Sequence, residues 1–496
     1  MNLKNRKIVI KIPTMVFAFL LLGSVSYAFT TSPNRNIEKS PISAGLADIN
    51  IIDLGTLPNC FSSKARDINN LGEIIGESDD YACYWSIGRE IQSIEASNSE
   101  STMFLQINDL SQVSGWYDPV TMLPAPVKDE CRPFIWTPID GEVDLGTLLS
   151  GNLGQITSVN NLGQAVGWTQ AFSDYEHAFL WTPEEGVTDL GTLGGLSSHA
   201  LDINDLGQIT GYAQTSDGES HAFFWNQESG IEDMGTLGGE NSYSVDLNNL
   251  GQVVGSAETS TGENHAFLWT SDAGMTDLGI LGYDYSYVNK INDQGYIIGG
   301  VANSVKGPYQ AFLWTQESGM NLIAPIDAYL SEATDINNLG EIVGYYYIYE
   351  NLKLPCHAFA RTSEEGFIDL GTLGGEYSDA FAINDFGQVV GSSESLDNQR
   401  HAVIWELPQQ TAGIIINEIE DLVEEGQLNA GQGTALTAKL EAAIVLMNKG
   451  KFLPAQNLLQ AFINQVNSFI NSGALSQEDG YPLIVYAQEL LDLIPE

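Results

Sequence analysis

Short runs in which apolar and polar residues alternate, separated by clusters of Gly, Asn, Asp and Ser, cover the chain from about residue 48 to residue 408. This period-two pattern is the signature of β-strands joined by tight turns. One unit shows the scheme. Ala200–Asn204 alternates and runs into Asn204-Asp205-Leu206-Gly207, where Asx chemistry and a glycine able to take positive φ predict a hairpin into residues 208–213. His221–Trp225 is apolar and β-rich, and the turn Gln227-Glu228-Ser229-Gly230 leads to a fourth strand over Ile231–Gly235.

The same unit recurs along the chain. A hydrophobic-Asn-(Asn/Asp)-x-Gly motif places its Asn at Asn69, Asn160, Asn204, Asn248, Asn292, Asn337 and Asn384, with a degraded copy at Asn108, which makes eight. A His-Ala-Phe-Leu-Trp segment or a variant follows each copy: Tyr81 to Trp85, Pro133 to Trp136, His177 to Trp181, His221 to Trp225, His265 to Trp269, Gln310 to Trp314, His357 to Ala360 and His401 to Trp405. Asp-Leu-Gly-Thr-Leu-Gly-Gly stands in full at Asp189 and Asp369, and in variants from Asp53, Asp144, Asp233 and Asp277. Four strands in a 44-residue period predict an all-β fold, a β-propeller of about eight four-stranded blades. In each third strand His, Phe and Trp point one way and Ala and Leu the other, so both faces need cover, and a ring of blades supplies it. A β-solenoid is the rival, but its coils are usually shorter. The first Asp-Leu-Gly, at Asp53, precedes the first hairpin, while the last His-Ala-Val-Ile-Trp lacks one. The N-terminal strand is therefore expected to complete the last blade and remove the open sheet edges.

These three motifs in fixed order resemble the His-Ala-Phe (HAF) repeats of exported bacterial proteins, the tripeptide standing at His177, His221, His265 and His357. The resemblance spans residues 48–408 and implies an extracellular or envelope location and a propeller, with no activity attached. Departures are Gln310 for His, Cys83 for Phe and Ala360 for Trp.

From about Thr411 the spacing becomes helical. Ile415, Ile419, Leu422 and Val423 form one stripe ending at Gly426, and Leu436 to Met447 a second ending at Gly450. A third runs from Pro454 to Gly473, and Ser476 with Asp479 opens a fourth over residues 477–494. A small α-helical bundle over 411–496 follows. Ala435 to Ala443 and Ala461 to Val466 resemble FIMAH-type modules, which implies attachment or protein contact.

Lys4, Arg6, Lys7 and Lys11 precede an apolar run from Met15 to Val25 and then Ser26-Tyr27-Ala28. That order predicts a cleaved signal peptide over residues 1–28, followed by a linker over 29–47. No later segment is long and apolar enough to span a bilayer, so no membrane span is expected after cleavage. The chain carries 19 basic and 64 acidic residues, net −45, and losing a leader with four cations and no acid takes this to −49. Such charge disfavours nucleic acid and anionic lipid as partners. Cys60, Cys83, Cys131 and Cys356 allow one or two disulfides in an exported protein, or buried thiols.

Five of the six histidines, His177, His221, His265, His357 and His401, occupy one repeated strand position. Catalysis needs its base once, so these read as structural, hydrogen-bonded to a neighbouring strand; His199 has no partner motif. The Asp-x-Asn spacing at residues 202–207 is a little like a calcium loop, but it lacks the closing acidic ligands, and turn formation explains it better. No metal or other cofactor is expected, calcium being the one weak candidate. Nucleophile-elbow, zinc-helix, phosphate-loop and sialidase signatures are absent. The expectation is a secreted, non-enzymatic binding scaffold for a polysaccharide or protein, the alternative being a carbohydrate hydrolase or lyase with carboxylates near the axis. Candidate contacts are Trp116, Trp168, Tyr212 and Tyr345, which open the variable second-to-third strand loops, and Tyr283, Tyr285 and Tyr377 in the blade-to-blade loops.

Overall fold

The structure is a computed structural model that describes residues 49–492 except 80, 87–89, 95–98, 120–131, 146–153, 171–174, 305–306, 326–327, 350–352, 364–365, 408–418, 420–421, 424–425 and 448–450. The signal-peptide and linker readings, and Cys131, lie outside the described residues. Eight four-stranded antiparallel sheets form an eight-bladed propeller. Blade 4 is typical, with strands Gly194–Ile203, Ile209–Thr215, Ser220–Asn226 and Gly230–Asp233 in sequential order from the axis outward. In blade 8 the outer strand is Asn50–Gly55, paired antiparallel with Arg400–Glu406 from Asn50↔Glu406 to Gly55↔Ala402. The predicted closure of the ring by the N-terminal strand is thus the observed one.

Each hairpin between first and second strands is built by its motif Asn. In blade 4 Asn204 Oδ1 accepts from the Leu206 and Gln208 amides at 3.0 and 2.9 Å, and Gly207 takes φ 71° to close the turn. The core lies between blades. Phe223 packs with Val166, Ala200 and Ala213 on one side, and Ala222 and Phe224 pack with Phe267 and Trp269 of blade 5 on the other. This is the two-faced burial expected from His-Ala-Phe-Leu-Trp, the small Ala leaving room for the neighbour's rings.

Two further devices join the strands. The repeated His holds the fourth strand to the third: His177 Nδ1 lies 3.0 Å from Asp189, and His221, His265, His357 and His401 repeat this with Asp233, Asp277, Asp369 and Asp53 at 2.8–2.9 Å. The same Asp accepts from the amide two residues on, as Asp189 does from Gly191, whose φ is 80°. A serine then staples one blade to the next at six junctions. Ser242 Oγ accepts from the Ala222 amide at 2.9 Å and donates to the Gly235 carbonyl at 2.6 Å, with equivalents at Ser63, Ser198, Ser286, Ser331 and Ser378.

Register corrects one reading. Ile342 faces Arg361 and Val343 faces Ala360, so Arg361 holds the Trp place of blade 7 and Ala360 matches the Leu. Phe367, which faces Arg361, stacks on Phe359 at 5.0 Å. Cys83 takes the Phe place of blade 1, fully buried, and Cys60, Cys83 and Cys356 are free thiols.

Beyond the propeller stand three described helices, α1 Ala430–Met447, α2 Phe452–Ser472 and α3 Gln477–Asp492. Of the first predicted stripe Ile415 lies outside the described residues, while Ile419, Leu422 and Val423 join the helical core. Helix α1 starts before the predicted Leu436 because Asn429 caps it, its Oδ1 accepting from the Gln432 amide at 3.0 Å, and Gly433 lets the first turn approach Val423, where a Cβ would stand 2.5 Å away. Helix α2 ends at Gly473 as expected, with φ 72° and its amide on the Ile470 carbonyl. Phe386, at the hairpin tip of blade 8, packs against this helical core.

Candidate functional site

At the hairpin end of the axis the eight motif asparagines form a closed ring. Each Nδ2 donates to the backbone carbonyl of the next, from Asn69 to Asn108 at 2.9 Å, around the axis to Asn384, which returns to Asn69 at 3.0 Å. The residues that follow make a second ring in strict alternation of Asn and Asp. Asn70, Asn161, Asn249 and Asn338 each donate a backbone amide to the Asp of the next blade, and Asp109, Asp205, Asp293 and Asp385 do the same to the next Asn. Eight neutral or charged side chains are thereby spent as acceptors for eight turn amides.

Below these rings lies a polar cavity of about 290 Å³. Asp67, Asp202, Asp246 and Asp335 face it, and each accepts from a backbone amide of the following blade at 2.7–3.1 Å. Burial pushes the Asp67 carboxyl up to about 6 and raises those of Asp246 and Asp335, while Lys290, 3.9 Å from Asp246, opposes the rise. These are carboxylates near the axis, as the enzyme alternative requires, but they are engaged in holding blade to blade. Among the described residues no group of three or more His, Cys, Asp or Glu is placed to hold a metal ion.

The opposite, loop-side mouth is built differently. One register position on seven of the inner strands brings Lys64, Gln155, His199, Tyr243, Tyr287, Glu332 and Asp379 to the same level, opposite Glu77, Trp168, Tyr212, Ser256, Gly300, Tyr345 and Ser392. Trp168 meets His199 edge-on at 5.4 Å, His199 stacks on Tyr212 at 4.8 Å, and Tyr212 meets Tyr243 at 5.2 Å. This aromatic run crosses blades 3, 4 and 5, and Glu176 anchors His199 Nε2 at 3.3 Å. Burial pushes the Tyr212 phenol up to about 12.

A second group gathers at blades 6 and 7. Tyr287 lies across Gly300, where a Cβ would stand 2.5 Å from the ring, and donates to Glu332 at 2.7 Å; Asn289 donates to the same carboxylate. Burial raises the Glu332 carboxyl against these two hydrogen bonds. Tyr285 donates to the Ser304 carbonyl at 2.8 Å, and Tyr345 meets Tyr347 edge-on at 6.1 Å.

Of the sequence candidates, Trp168 and Tyr212 belong to the first group, and Tyr285 and Tyr345 to the second. Trp116 is half-buried at the matching place in blade 2, opposite Met103. Tyr283 packs against the core between blades 5 and 6, and Tyr377 is half-buried on the inner strand of blade 8. The sequence reading missed His199, Tyr243 and Tyr287; the alternation of the inner strand places all three on one level, and that signal was available.

Residues 412–492 match the FIMAH domain family. No curated protein matches the chain. Among solved structures the chain is similar to TolB from Acinetobacter baumannii, at 9% identity over 68% of this chain and 77% of that one, TM-score 0.34. It is similar also to a streptogramin B lyase, at 10% identity over 72% and 98%, TM-score 0.38, and to a eukaryotic initiation factor, at 10% over 69% and 84%, TM-score 0.42.

Proposed function

We propose that this is an exported HAF-repeat protein of the extracellular space or cell envelope, a non-enzymatic scaffold whose propeller binds a polysaccharide or protein through its loop-side face. One observation carries the reading. The half-buried rings of Trp168, His199, Tyr212 and Tyr243 run across three blades at the loop-side mouth and are held edge-on or stacked by one another. Aromatics fixed in this way give contact area at little entropic cost. The other face is occupied by its own hydrogen-bonded rings, and its axial carboxylates accept from backbone amides of the following blade. The FIMAH domain at 412–492 supplies a second surface for attachment.

The test is glycan-array binding by the mature protein, with and without calcium, beside Trp116→Ala and Trp168→Ala. Selective binding, weakened about tenfold or more in Trp168→Ala, is expected. Absence of binding in both conditions overturns the polysaccharide reading and directs the search to protein partners.

A further inference from the structure

Cations are scarce and unevenly placed in this molecule. No Lys or Arg occurs between Arg132 and Lys290, so blades 3 to 5 hold none. Of the seven described basic residues of the propeller, five fall in blades 7, 8 and 1, around the seam closed by the N-terminal strand: Arg361 at the hairpin end, opposite Ile342, and Lys64, Arg66, Lys353 and Arg400. Arg66 pairs with Glu77 at 2.7 Å and lies over the Phe381 ring at 4.9 Å, Arg400 pairs with Asp379 at 3.3 Å, and Lys353 pairs with Glu376. Lys64 is the exception. It is half-buried, and among the described residues it has neither a hydrogen bond nor an ion pair; its facing partner Glu77 is taken by Arg66.

We infer that this sector of the loop-side mouth is a subsite for an acidic sugar residue, with Lys64 and Arg400 holding its carboxylate and Tyr345 and Tyr347 bearing its ring. The inference rests on the scaffold reading above and narrows its ligand. Tyr345 faces Glu332 on the inner strand of blade 7, Asp379 holds the same level in blade 8 with Arg400 at 3.3 Å, and Lys64 holds it in blade 1, so rings and cations share one sector of the mouth. Burial lowers the pKa of the Lys64 ammonium, and Arg66 and Arg400 lower it further against Asp379 and Glu77. An arriving carboxylate relieves that crowding and replaces the water the ammonium has lost. A net charge of −45 repels a dense polyanion, so the ligand is a largely neutral glycan with isolated acidic residues.

The experiment measures binding to oligosaccharides that each carry a single uronic or nonulosonic acid, beside their carboxyl-reduced counterparts. The expected result is at least tenfold tighter binding of an acidic member. Lys64→Met and Arg400→Gln erase that difference, Arg361→Gln keeps it, and Tyr345→Ala weakens both forms alike. Lys64→Met has no partner to orphan, so its melting temperature stays that of the parent and reports a folded variant. Equal binding of acidic and reduced forms overturns the inference and leaves the scaffold reading standing. Acidic preference that survives both cation variants places the carboxylate elsewhere and overturns it too. Absence of binding to every member overturns the inference together with the saccharide reading.

Discussion

Asn204→Ala is the sharpest test of what holds the propeller. The side chain is 6% exposed and makes four hydrogen bonds: it donates to the Asn248 carbonyl and Gln208 Oε1 at 2.9 and 2.7 Å, and accepts from the Leu206 and Gln208 amides at 3.0 and 2.9 Å. Truncation to Ala leaves a buried carbonyl and turn amides without partners. At about 1 kcal/mol net for each bond, and more where a buried group is orphaned, the loss is about 3–5 kcal/mol. Leu206→Ala, two residues on at a side chain 66% exposed, serves as the control, with an expected change within about 0.5 kcal/mol. Equilibrium unfolding in urea, followed by tryptophan fluorescence, reads both. Asn204→Asp keeps the two acceptor roles and loses the donors, so it should fall between them. A loss below about 1 kcal/mol in Asn204→Ala would refute the idea that the asparagine ring carries blade-to-blade cohesion.

Other expectations follow from the same geometry. The Asp67 carboxyl, raised to about 6, binds more protons folded than unfolded between about pH 4 and 6, so its contribution to stability falls as pH rises through that window. Asp67→Asn should therefore gain about 1–3 kcal/mol at pH 8 and little at pH 4; denaturation midpoints at both check this, and an unchanged pH profile contradicts it. Asp369, held below the usual carboxylate range by His357 and Tyr346 against the effect of burial, works oppositely, and its contribution is lost as pH falls through its folded pKa. Asp53→Ala should cost about 1 kcal/mol, since the His401–Asp53 pair is partly exposed and screened by solvent, whereas deleting residues 50–55 opens blade 8 and should make the chain protease-sensitive. Burial pushes the Cys83 and Cys356 thiols up to about 12, so both should resist alkylation at pH 8 until the protein is unfolded; rapid native labelling, read by mass spectrometry, contradicts it.

Repetition explains how much of this was legible. The motif Asn recurs because every blade needs the same turn, and the His with its Asp recurs because five blades use the same cross-strand bond; needs repeated this often stand out in one sequence. The Ser242-type staple escaped notice because a lone serine in an alternating strand carries no local signal; its role exists only when the next blade is in place. Arg361 was misaligned because the segment was read by composition, and pairing with Ile342 fixes the register. The cation cluster was invisible for a topological reason. Lys64 and Arg400 lie at opposite ends of the repeat array, and ring closure alone makes them neighbours. Conversely, loop aromatics such as Tyr283 were legible as residue types while their burial depended on packing between blades.

The most direct measurement of the central claim, that the loop-side mouth is the binding surface, is a hydrogen-exchange footprint of the mature protein with a saturating acidic oligosaccharide. The account predicts slowed exchange in residues 63–66, 330–333, 345–347 and 376–379, with the hairpin tips at 69–73, 204–208 and 384–388 unchanged. Protection at those tips, with the loop-side segments unaltered, would place binding on the other face and contradict it.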